Sequence, residues 1–238
     1  MLVNNELGTV NDIPAIGQYV REHGALFHVD AAQGAGKLAI DVAQWAVDLM
    51  SFSGHKIYGP KGIGALYVGP RAQDRLQAQM HGGGHEFGLR SGTLATHQIA
   101  GMGHAFAVAK QSLNDELAHV SSLRERLLGH LAGIAGLQCN GSQQSRVPHT
   151  LSLTFSEGHF SSAALSAAVA YSATSACNSA SNAPSHVLLA LGLDAEKARR
   201  TIRLSVGRFT SNQDVDALAK AIQVATTVPA PFWAVAQP

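Results

Sequence analysis

Asp48-Leu49-Met50-Ser51-Phe52-Ser53-Gly54-His55-Lys56, continuing through Ile57-Tyr58-Gly59-Pro60-Lys61-Gly62-Ile63-Gly64-Ala65-Leu66-Tyr67-Val68, decides the fold. Residues 48–53 are an apolar run of strand length that ends in small, turn-forming residues, and residues 64–68 are a second such run. Upstream, residues 25–30 make another and close on Asp30. Runs this short, bounded by Gly and Pro, read as buried strands. Ahead of them Ile13, Ile16 and Val20 recur at helical spacing, with Asp12 placed to cap, Pro14 in the first turn and Gly24 just past the end. That pattern predicts a helix over residues 12–23. Strands separated by helical or loop stretches predict an α/β architecture with a mostly parallel sheet.

After Thr93 the character changes. Residues 98–113 and 115–134 read as two long helices, the second carrying Leu117, Val120, Leu123, Leu127 and Leu131 on one stripe. Residues 150–155 and 201–206 alternate like half-buried strands, while residues 163–170, 185–191 and 214–225 read as helices. The expected division is a large α/β domain over residues 1–113 and a small α+β domain over residues 114–238. Beyond Val228 no period is readable, and no internal repeat occurs.

Composition narrows the function classes. Of 238 residues, 46% are hydrophobic and 14% charged, a packed rather than disordered composition. The formal net charge is +1 and no Lys/Arg block stands out, so no electrostatic footprint for nucleic acid or an anionic membrane is present. Residues 1–6 have neither a basic nor a long apolar character, and no apolar run reaches membrane-spanning length. A soluble, cytoplasmic protein is expected. Cys139 and Cys177 are too few and too far apart for a disulfide framework, so each thiol is judged by its surroundings.

Two constellations carry chemistry. His28-Val29-Asp30-Ala31-Ala32-Gln33 places a carboxylate at the end of a buried strand, the edge where α/β sheets bind ligands. A carboxylate there can hold a cofactor's ring nitrogen protonated, although an acid so placed, taken alone, more often caps the following helix. At the end of the next run, Lys56 lies among small residues from which a lysine can reach into a crevice and form a Schiff base. Its neighbours Ser53 and His55 can bind phosphate oxygens, which makes Lys56 a better candidate than Lys61. The glycines lack the order of a nucleotide-binding P-loop. His81 and His85 are separated by three glycines, and no Cys or carboxylate completes a metal-ligand set. A lone Cys is by default an inert small hydrophobe, and Cys139 keeps that reading.

His28 to Gln33, then Ser51 to Val68, then His81-Gly82-Gly83-Gly84-His85-Glu86-Phe87-Gly88-Leu89-Arg90-Ser91-Gly92-Thr93, in this order and spacing, resemble the signature run of NifS/IscS-type cysteine desulfurases. The similarity continues through Ser175-Ala176-Cys177-Asn178-Ser179-Ala180-Ser181 and Ile202-Arg203-Leu204-Ser205-Val206-Gly207-Arg208-Phe209, and so covers nearly the whole chain. The resemblance implies a fold-type I pyridoxal 5'-phosphate enzyme that removes sulfur from L-cysteine. It implies that Lys56 holds the cofactor, Asp30 pairs with its ring nitrogen, Gln33 and Asn5 hydrogen-bond its ring oxygen, and Ser53 and His55 bind its phosphate. Thr93 would reach the phosphate in the other subunit of a homodimer, and Arg203 would clamp the substrate carboxylate. Cys177 would attack the substrate sulfur, keep it as a persulfide, release alanine and serve iron-sulfur scaffold or thio-modification partners. Its neighbours Ser172, Ala173, Thr174, Ser175 and Ala176 are all small or hydroxylated.

Where the family has Arg this chain has Phe87, and where it has Ser-Gly this chain has Ala173-Thr174. The first removes a charge near the shared site, and the second stiffens the loop by β-branching. The family's stacking histidine and Gly-rich phosphate cradle would fall before Met1, so the resemblance implies a truncated large domain with impaired turnover. Two other readings compete: a non-catalytic remnant that pairs with a full-length desulfurase or its partners, and a different fold-type I aminotransferase or lyase, for which Cys177 would be unnecessary.

Overall fold

The computed structural model describes residues 1–172 and 183–227. They fall into two compact units, the first formed by Met1–Asn4 and Val10–Asn114, the second by Asn5–Thr9 and the described residues from Asp115 onward. A five-residue excursion near the start of the chain thus belongs to the second unit.

In the first unit, helix α1 (Ile13–Glu22) begins where Asp12 Oδ1 accepts the Ala15 N–H at 3.1 Å, with proline in its first turn. Strand β1 (His28–Asp30) pairs in parallel with β2 (Leu49–Ser53), setting Asp30 opposite Ser51. Strand β3 (Gly64–Val68) then runs antiparallel to β2, with Gly64 opposite Ser53 and Val68 opposite Leu49. The sheet is therefore mixed, not parallel throughout. The reason lies in the connections: residues 31–48 are long enough for a parallel crossover, whereas residues 54–63 make a tight turn that can only reverse the chain. Buried Asp48 stitches the strand starts together, accepting the Phe27 N–H at 2.9 Å and Arg71 Nη1 at 3.2 Å. A buried acid without such partners would be costly.

Helix α2 (Thr96–Leu131) is continuous where two helices are expected from the sequence. Asn114 and Asp115 are modest helix formers but retain their N–H groups, so each costs at most about 0.7 kcal/mol, and no proline enforces a break. On the second unit's side of that point Val120, Leu123, Leu127 and Leu131 are fully buried.

The second unit holds an antiparallel sheet in the order β4 (Leu137–Cys139), β5 (Thr150–Phe155), β6 (Thr201–Ser205). Leu151, Leu153 and Phe155 pack with Ile202 and Leu204 against α2, Leu165 of α3 (Ser162–Ala168), and Val215, Ala219 and Ile222 of α6 (Asn212–Thr227). Strand β5 is buried along its full length, not half-buried as its alternation suggests. Its polar face is covered too, on the side of α4 (His186–Ala190), α5 (Ala195–Arg199) and residues 5–9. The hydroxyls there are satisfied internally: Asn140 Nδ2 donates to Ser152 Oγ at 3.0 Å and to Thr154 Oγ1 at 2.8 Å, and Thr154 Oγ1 lies 2.7 Å from Thr201 Oγ1. On the outside, Arg126 holds Asp216 with two bonds of 2.6 and 2.8 Å, and that hydrogen bond keeps the Asp216 carboxyl below its ordinary range.

Leu153 is fully buried at the centre of this cluster. Leu153→Ala is expected to cost about 2–5 kcal/mol, the transfer term plus that of an unfilled cavity. Urea unfolding should show a lower midpoint with an unchanged slope; an unchanged midpoint would contradict the packing.

Candidate active site

The first unit presents its chemistry at the C-terminal ends of β1 and β2. Chain reversal after Ser53 is a single 3-10 turn, Gly54–Ile57, capped by Tyr58 in a left-handed conformation with φ 64°. Gly54 N–H donates to Ile63 O at 3.0 Å. A Cβ at position 54 would meet Ile63 Cγ2 at 2.8 Å and Pro60 O at 3.0 Å, so the loop closes only over glycine. Ile57, 2% exposed, anchors the turn beside Ala35 and Ala105. With Ile57 held inward, His55 and Lys56 are left exposed. The Lys56 ammonium thus stands on a rigid base.

Around it, Ser53 Oγ lies 2.9 Å from His55 Nδ1, a hydroxyl–imidazole pair suited to phosphate oxygens. Asp30, exposed at the end of β1, accepts the Ala32 N–H through Oδ1 at 2.8 Å. It does cap the turn that follows its strand, and it also stands at the ligand-binding edge; the two roles are compatible. Gln33 is held by Lys37 Nζ at 3.1 Å, and Thr93 is exposed on the loop before α2. An amine, a carboxylate on the neighbouring strand and an anion-binding pair form a donor set that fits pyridoxal phosphate. Lys61 is exposed as well, but it follows the turn, and its carbonyl is taken by Gln98 Nε2 at 2.8 Å.

The other expected residues belong to the second unit. Arg203 on β6 donates from Nη1 to the Asn5 carbonyl at 3.1 Å and from Nη2 to Ser172 Oγ at 3.0 Å. Asn5 is therefore a neighbour of Arg203, and so is Ser172, which the sequence marks only as a small residue near Cys177. Nothing local marks Ser172; its partner is 31 residues away. Cys177 and the Ala173-Thr174 departure lie outside the described residues. Phe87 is fully exposed, with φ 58°, an unusual conformation for an aromatic residue. Cys139 ends β4 beside Arg146 Nη1 at 3.3 Å. Among the described residues no three metal-ligating side chains gather, and no described helix is long and apolar enough to cross a membrane.

Comparison with known proteins places the chain in a family. The aminotransferase class-V family matches residues 1–218. A Pseudomonas aeruginosa protein named cysteine desulfurase IscS is 55% identical over 224 residues, covering 93% of this chain and 55% of its own length. Its Vibrio campbellii namesake is 53% identical over 95% of this chain and 56% of its own. The chain thus spans a little over half of the curated relatives it matches. Among solved structures, a NifS-like protein from Rickettsia africae superposes with a TM-score of 0.85 at 28% identity, over 95% of this chain and 61% of that one. A structure described as SspA in complex with cysteine gives 0.73 at 39% identity, over 88% of this chain and 58% of that one.

Proposed function

The chain belongs to the aminotransferase class-V family, and from that premise we propose that it is, or is part of, a pyridoxal-phosphate-dependent cysteine desulfurase. The observation that carries the reading is the placement of Lys56 just past the end of β2 while Asp30 ends the parallel strand beside it. Relatives named as desulfurases at 53–55% identity support the same chemistry.

In this reading Lys56 holds the cofactor through its amine, and Asp30 faces the ring nitrogen. Gln33 and Asn5 bind the ring oxygen, Ser53 and His55 the phosphate, and Thr93 the phosphate in the partner of a homodimer. Bound there, the cofactor supplies an electron sink for the substrate carbon. Arg203 takes the carboxylate of L-cysteine in the two-pronged geometry that guanidinium offers. Lys56 and His55 serve as the nearby groups that hold and move protons. The Cys177 thiolate forms an S–S bond to the substrate sulfur as the C–S bond breaks. The electron pair stays with carbon, which takes a proton and leaves as L-alanine. Cys177 then carries the sulfur as a persulfide to an acceptor, in the cytoplasm, of the iron-sulfur scaffold or thio-modification kind.

The test is release of L-alanine and sulfide from L-cysteine by the 238-residue chain with excess pyridoxal phosphate and a thiol reductant. L-Alanine and sulfide are expected in equal amounts, at a rate well below that of a full-length relative. A chain that bound no cofactor, showing no absorbance band beyond that of the free aldehyde, would instead favour a partner that only pairs with a longer desulfurase.

A further inference from the structure

Arg203 does not extend freely from β6. Three contacts with Ser172 surround it: Ser172 N–H donates to the Arg203 carbonyl at 3.1 Å, Arg203 N–H donates to the Ser172 carbonyl at 2.7 Å, and Arg203 Nη2 donates to Ser172 Oγ at 3.0 Å. The backbone pair fixes where the side chain starts, and the hydroxyl fixes where its guanidinium ends. The other prong, Nη1, goes to the Asn5 carbonyl at 3.1 Å.

That carbonyl is itself immobilised, because the segment from Asn5 to Thr9 is pinned along its length within the second unit. Buried Glu6 accepts the Ser185 hydroxyl through Oε2 at 2.6 Å, and Ser185 is fully buried. The Leu7 carbonyl accepts Arg146 Nη2 at 2.9 Å, the Gly8 carbonyl accepts the Val147 N–H at 2.9 Å, and Thr9 Oγ1 accepts the Ser142 N–H at 3.2 Å. Arg146 Nη2 also donates to the Thr150 carbonyl at 2.9 Å, which ties the segment to β5. An acceptor on so constrained a stretch is a fixed point.

We propose that Ser172 is a positioning residue for substrate recognition: its hydroxyl, with the Asn5 carbonyl, holds the Arg203 guanidinium plane in the orientation in which it receives an α-carboxylate. The inference rests on the reading of Arg203 as the carboxylate clamp and extends it to a residue that acts through Arg203. A guanidinium has five donors in one plane. Two are spent on fixed acceptors here, one at each terminal nitrogen, and that sets the plane while leaving a hydrogen on each for a ligand. Without the hydroxyl, Arg203 is tethered at one prong only, and binding must freeze a long side chain that the native protein holds ready. Ordering one such side chain weakens binding by up to about tenfold.

The experiment needs no turnover. The full 238-residue chain, ¹⁵N-labelled and supplied with pyridoxal phosphate, is titrated with L-alanine, the product of the proposed reaction, while the Arg203 Nε–H resonance is followed. Isopropylamine, which has the same carbon skeleton and amine but no carboxylate, is the control. L-Alanine is expected to shift the resonance in the native chain and isopropylamine to leave it in place. In Ser172→Ala the dissociation constant for L-alanine should rise about tenfold, with the unfolding midpoint unchanged, and Ser172→Thr should restore it to within about twofold. If Ser172→Ala binds L-alanine as the native chain does while Arg203→Lys loses it, the clamp reading stands and the positioning role is overturned. If L-alanine leaves the Arg203 resonance unmoved in the native chain, the clamp reading itself fails and the proposal fails with it.

Discussion

Lys56→Ala is expected to leave no cofactor covalently attached after borohydride reduction, where the native chain yields a single labelled peptide containing Lys56. Lysines are common and most are solvated surface charges, so the assignment depends on position. Lys56 is presented by a tightly packed turn: a Cβ at Gly54 would meet Ile63 and Pro60, and Ile57 is buried beside Ala35 and Ala105. The same turn follows the strand that pairs in parallel with that of Asp30, which puts amine and carboxylate on neighbouring strand ends. Lys61 lies beyond the turn and has no acid so placed. Activity in Lys56→Ala should drop by at least about 10²-fold, the lower range for loss of one positioned proton-transfer group, and added amines should not restore covalent attachment at another residue. Label found on Lys61, or label retained in Lys56→Ala, would overturn the assignment.

Cys177→Ser should abolish persulfide formation and sulfide release while leaving cofactor attachment intact, because the sulfur-accepting step needs a thiolate and the preceding ones do not. Serine keeps the size of the side chain but not its nucleophilicity, so the effect separates chemistry from packing. Cys139→Ser is the matched control. Cys139 ends β4, is partly buried, and has the Arg146 guanidinium 3.3 Å away, a guanidinium whose other nitrogen serves Leu7 and Thr150. Its surroundings are structural. Mass spectrometry after incubation with L-cysteine should find the added sulfur on Cys177 alone, and Cys139→Ser should turn over at the native rate. An inactive Cys139→Ser with a working Cys177→Ser would reverse the two roles.

How much of this could be read from residues alone differs from element to element. Helix α1 was legible because its signals are local: Asp12 caps, Pro14 suits the first turn, and Gly24 follows the end. The strands of the first unit, and the motif residues at their ends, were legible for the same reason. The contacts of Arg203 with Ser172 and Asn5 were not, since hydrogen bonds between residues 31 and 198 positions apart leave no local trace.

By itself the sequence determined which side chains are available for chemistry and which short segments become strand, turn or helix, because capping, φ preference and hydrophobic spacing act over a few residues. Only the tertiary structure decided the rest. It set β3 antiparallel to β2, since a tight turn leaves no room for a crossover. It kept α2 unbroken through Asn114 and Asp115. Strand β5 became buried on both faces because residues 5–9, α4 and α5 cover the side whose hydroxyls suggested solvent. And it drew Asn5 to Arg203, a pairing settled by which buried polar groups needed partners once distant segments had packed.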